Sequence, residues 1–142
     1  MKFDFEASID TVPLSEQGVR LELRNARGEV MASKGKPVAV IVLGPDSAKY
    51  RATIDEITRA RLTEAQKAKE TGVELKEEPN RFTIEVIAAL TKSWENVHDQ
   101  KGDSVPFTPE NVKALYAYPV IRDQVDAFIS KRANFLKASS TA

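Results

Sequence analysis

The chain has 142 residues, 42% hydrophobic and 30% charged, the make-up of a globular domain long enough to bury a core without staples. Lys+Arg and Asp+Glu are 21 each, so the basic excess of a dedicated nucleic-acid binder is missing. The absence of cysteine excludes disulfides, thiolate metal sites and cysteine nucleophiles, and the single histidine, His98, excludes a multi-histidine metal centre.

The longest apolar run, Val38 to Leu43, is far too short to cross a membrane. Met1-Lys2-Phe3-Asp4-Phe5-Glu6 carries acids where a secretory signal is apolar, so a cytoplasmic protein is expected. The first eighteen residues are weakly patterned and broken by Pro13 and Gly18, which predicts an arm, loosely ordered or docked on a partner. In Val19 to Arg24, Val19, Leu21 and Leu23 share one face and Arg20, Glu22 and Arg24 the other, the alternation of a half-buried strand. Asn25 to Gly28 predicts a turn and Glu29 to Met31 a return strand. After a second turn over Ser33 to Pro37, the β-branched run Val38 to Leu43 predicts a strand covered on both faces.

Gly44-Pro45 stops that strand, and Asp46 or Ser47 can cap a helix from about Ser47 to Glu70. Its apolar stripe is narrow: Tyr50, Ile54, Ile57 and Arg61, with Leu62 beside it. A second helix is predicted from about Asn80 to Val97, with Phe82, Val86, Ala89, Leu90, Ser93 and Trp94 on one face. Thr108 as cap, Pro109 at the first helical position and Glu110 at the positive dipole end predict a third helix ending near Tyr118. A fourth should run from Pro119 to about Lys137 on a stripe of Ile121, Val125, Phe128, Ile129, Phe135 and Leu136, before a small polar tail, Ala138 to Ala142. The expected fold is therefore α+β. Residues 1–44 supply an arm and a small antiparallel sheet, residues 45–142 about four helices, and the two parts form one compact unit.

Several polar features have plain structural readings. His98-Asp99 lies in a polar loop without a second histidine or a glycine-rich turn, the setting of a solvated side chain. The acid pairs Asp55-Glu56 and Glu77-Glu78 fall on charge-mixed segments and suit a wet face better than acid–base chemistry. Gly44-Pro45-Asp46-Ser47 lacks the glycine spacing and lysine of a phosphate loop. No residue stands out as catalytic, as a metal ligand or as a cofactor ligand, and a non-enzymatic protein is expected.

Lys92-Ser93-Trp94-Glu95-Asn96-Val97 precedes a polar loop, followed by Val105-Pro106-Phe107-Thr108-Pro109-Glu110-Asn111-Val112, Leu115-Tyr116 and Tyr118-Pro119-Val120-Ile121. With the closing Arg132-Ala133-Asn134-Phe135-Leu136, this order resembles the tail assembly chaperones of long-tailed bacteriophages, most clearly over residues 82–136. The resemblance implies a protein that coats the tape-measure protein, keeps it soluble in the host cytoplasm, helps recruit tail-tube subunits, and is absent from the finished virion. The alternative is a structural minor tail or head–tail connector protein, favoured by the arm Met1 to Glu16. Trp94, Phe107, Tyr116, Tyr118, Phe128 and Phe135 are the candidate partner-binding residues, because aromatic rings give large contact area at small entropic cost. Edge strands and amphipathic helices make a homo-oligomer an open expectation; nucleic acid and membrane are not expected partners.

Overall fold

The computed structural model describes residues 1–75 and 78–137. Residue 77 of the second acid pair and the polar tail from residue 138 lie outside them.

The N-terminal segment is anchored on its own chain. A 3-10 turn (Glu6–Ser8) leads into α1 (Val12–Gln17), where Leu14 and Ser15 are buried. Only residues before Thr11 keep the exposed character expected of an arm. Gly18, at φ +95, turns the chain into β1 (Val19–Glu22), and Leu23 follows fully buried. The predicted turn closes through Asn25, whose Oδ1 accepts from the backbone N–H of Arg27 and of Glu29. Arg24 then bridges Val30. A two-residue hairpin follows: β2 (Ala32–Ser33) pairs with β3 (Lys36–Pro37) around Lys34 and Gly35, both at positive φ.

The run after Pro37 becomes β4 (Ala39–Val42), covered on both faces as its composition demands, with Ala39, Val40 and Val42 at zero exposure. It is the middle strand of an antiparallel sheet ordered β1-β4-β5. Val19 sits opposite Val42 and Leu21 opposite Val40. The other face puts Arg20 between Glu22 and Glu95, whose carboxylates it reaches at 2.9 and 3.2 Å.

Ser47 caps α2 (Ala48–Thr71), its Oγ accepting from the Tyr50 N–H at 3.1 Å, while Glu16 accepts from the Ala48 N–H. Gly72 ends the helix in the left-handed conformation. The narrow stripe behaves as expected: Thr53 is the one buried residue, and Tyr50, Ile54 and Ile57 pack against the core edge.

The predicted second helix is split. α3 (Arg81–Leu90) ends seven residues early, and Thr91–Glu95 form β5, hydrogen-bonded to β4 with Trp94 opposite Val40. Thr91 makes the break: its Oγ1 donates to the Ile87 carbonyl, and beyond it the chain is extended. The unsatisfied edge of β4 outweighs a helical periodicity that Ser93 and Trp94 only weakly support. The sheet therefore draws its third strand from the C-terminal half.

α4 (Pro109–Tyr116) starts as expected, with Thr108 Oγ1 accepting from the Asn111 N–H at 3.2 Å. α5 (Pro119–Ser130) stops at Ser130 rather than near Lys137. Lys131 is extended, and Arg132–Phe135 form a 3-10 turn. Asn134 Nδ2 bonds the Phe128 carbonyl at 2.9 Å, holding the turn against the helix it leaves. The change of direction drives Phe135 into the core beside Gly44, where a continued helix would place it further out. The fold is α+β: a three-stranded sheet whose inner face packs with α3, α4 and α5 around Val40, Leu90, Tyr116 and Val125.

Asp46 ties three segments together. Its carboxylate accepts from Arg132 Nε and Nη2 at 2.9 and 3.0 Å and from Thr11 Oγ1 at 2.5 Å. Arg132 first, then Thr11, hold that carboxyl below its ordinary value of 3.8. A depressed folded-state pKa contributes stability above the unfolded value, and the contribution is lost as pH falls through the folded one. In thermal melts from pH 6 to pH 2.5, Asp46→Asn should therefore be less stable than the parent at neutral pH. The gap should close on acidification below about pH 4.

Candidate interaction surface

The six rings proposed as partner contacts part company in the structure. Tyr116 and Phe135 are interior at zero exposure, so both are packing residues and not contact surface. The Tyr116 hydroxyl lies 2.5 Å from Thr91 Oγ1, satisfying it at the join between α3 and β5. Burial pushes the Tyr116 phenol up to about 12, the Thr91 bond opposing this only in part. Phe128 is half-buried on α5 and meets Phe135 edge-on, ring centres 5.8 Å apart.

Trp94 and Phe107 are brought together from distant stretches of chain. Their rings meet edge-to-face with centroids 5.3 Å apart. Trp94 is half-buried on the inner face of the sheet with Leu21 and Val40, and Phe107 covers it while remaining 43% exposed. Tyr118 stands at the junction of α4 and α5, 67% exposed, next to exposed Val120. The presentable part of the predicted set is thus Phe107 over Trp94, plus Tyr118.

His98 is more embedded than its loop composition suggests. Its Nδ1 lies 2.8 Å from Ser33 Oγ, joining the β2–β3 hairpin to the loop after β5, and Lys34 Nζ reaches the Gly102 carbonyl at 2.6 Å. Asp99 does not partner it; Asp99 Oδ1 accepts from the backbone N–H groups of Lys101 and Asp103. The histidine is structural glue between two turns. Among the described residues no group of three or more His, Asp or Glu could hold a metal ion, and no helix is long and apolar enough to cross a membrane.

Two surface features escape the sequence reading. One is a groove beside α2. A hollow at the start of that helix and another between α2, α3 and α5 share Pro45, Tyr50 and Ile54. The second hollow joins a third, near Leu62 and Leu75, through Phe82. Apolar side chains line it, and Arg61 lies over the Phe82 ring at 5.1 Å. Its signal in the sequence is Leu62, which flanks the α2 stripe and is 66% exposed. The other feature is at the N-terminus, where Phe3 and Phe5 stack on each other with centroids 5.3 Å apart and are 55% and 52% exposed.

No curated protein and no solved structure matches the chain significantly. A family model described as YdaY prophage protein matches residues 45–141, from the residue before the α2 cap through α3, β5, α4 and α5. That match takes in about two thirds of the 142 residues and includes Trp94, Phe107 and Tyr118, so the chain belongs to the YdaY prophage protein family.

Proposed function

We propose that this phage protein is a non-enzymatic tail assembly chaperone that binds the tape-measure protein in the host cytoplasm, keeps it soluble and helps recruit tail-tube subunits. The observation that carries the reading is the exposed ring surface of the C-terminal half, Phe107 over Trp94 with Tyr118 at the α4–α5 junction. A long, apolar-striped helical chain self-associates when bare. Rings that are half open can cover such a stripe and release it, each large side chain contributing roughly 1.5–3 kcal/mol when fully buried. Membership in a prophage family supports the phage setting, and the order of residues 82–136 supports the tail assembly role.

Co-expression with the tape-measure polypeptide of the same phage tests it. The parent chain should hold that polypeptide in the soluble fraction, and the double variant Phe107→Ser/Tyr118→Ser should lose at least several-fold of it with an unchanged circular dichroism spectrum. Equal solubility with and without the protein contradicts the reading. A second reading, a structural component retained in the particle, is favoured by the exposed Phe3–Phe5 pair, since structural subunits exchange arms. Mass spectrometry of purified particles separates the two: stoichiometric presence supports the structural component, absence the chaperone.

A further inference from the structure

The groove beside α2 runs alongside residues 48–65, about 26 Å at the helical rise per residue. Tyr50, Ile54, Phe82 and Ile87 make its surface apolar. The α2 wall carries Arg51 and Arg61, neither of which has a carboxylate partner among the described residues.

The N-terminal ten residues carry complementary chemistry. Phe3 and Phe5 alternate with Asp4 and Glu6, and none of these acids is ion-paired among the described residues. The segment is preformed. The N–H groups of Glu6 and Ser8 bond the carbonyls of Phe3 and Phe5, and that of Asp10 bonds the carbonyl of Glu6, all within 2.9–3.1 Å. These bonds shape the stacked rings into a knob rather than an extended strap. The chain turns off at Val12, on the rim of the groove, so laying the arm along its own groove would require unravelling the knob.

We propose that the knob of one copy docks in the α2 groove of a second copy, Phe3 and Phe5 on the apolar surface and Asp4 and Glu6 against Arg51 and Arg61. The exchange is reciprocal, as a two-fold dimer requires. Lys2 supplies the opposite charge for Asp55 on the same rim. Burying two half-exposed rings removes the most concentrated apolar surface of the N-terminal segment from water. The contact uses neither Phe107 nor Tyr118, so its failure leaves the assembly reading standing.

The absence of cysteine makes the test direct. Differently tagged single variants Phe5→Cys and Thr58→Cys are mixed and oxidised, and the expected product is the mixed disulfide, well above either homodimer. Light scattering of the parent chain should give twice 15.7 kDa at micromolar concentration. Phe3→Ser/Phe5→Ser should weaken dimerisation at least tenfold with unchanged circular dichroism. Arg51→Glu/Arg61→Glu should weaken it too, and combining it with Asp4→Lys/Glu6→Lys on the second copy should restore it. A parent chain that stays at 15.7 kDa at every concentration, or a dimer that survives loss of both rings, overturns the proposal.

Discussion

Phe135→Ala is expected to cost about 3–5 kcal/mol of unfolding free energy. The ring is fully buried, meets Phe128 edge-on and closes over Gly44 and the Ser15 side chain. Its removal leaves a cavity where α1, the end of β4 and the closing 3-10 turn converge, and none of these segments can move in without giving up hydrogen bonds. Gly44 N–H donates to the Ser15 carbonyl at 3.0 Å, and Asn134 holds the turn to α5. A domain with a total stability of some 5–15 kcal/mol would lose a large fraction of it. Urea denaturation measures the effect. A change within about 0.5 kcal/mol, as for a surface substitution, would mean that the ring faces solvent after all.

The second large effect is at Gly44. A β-carbon there would lie 2.7 Å from Phe135 Cδ1 and closer still to the side chain of Ser15. Both neighbours have zero exposure, so the strain cannot be shed into solvent. Gly44→Val should destabilise by about 1–3 kcal/mol at least, the usual cost of overpacking. The same substitution in a Phe135→Ala background should cost less, because the added methyl groups enter space the ring has left. A double-mutant cycle in urea reads this coupling directly. Full additivity would show that Gly44 and Phe135 do not share a packing site.

The strands and caps were legible because their signals are local. The alternation of Val19, Leu21 and Leu23 and the β-branched run through Val42 each name a face without reference to the rest of the chain. Ser47 and Thr108 cap helices through bonds three residues away. What stayed hidden depends on distant partners. Thr91–Glu95 reads as the end of a helix until β4 offers it an edge. Phe135 continues the α5 stripe in sequence, yet a break at Lys131 sends it inward to Gly44. Among the six rings, the spacing separated none of the buried from the exposed. Tyr116 and Tyr118 are two residues apart with opposite fates, because α4 ends between them. The α2 groove is the work of three helices, and a narrow stripe with Leu62 at its side was its only trace.

Trp94 is the sole tryptophan, half-buried beneath a ring that is itself open to water, so its fluorescence reports on the proposed contact surface alone. Titration with the tape-measure polypeptide should shift its emission to shorter wavelength and saturate, and Phe107→Ser should weaken the interaction at least tenfold. An emission spectrum unchanged through saturating tape-measure polypeptide would contradict the claim that these rings shelter another chain.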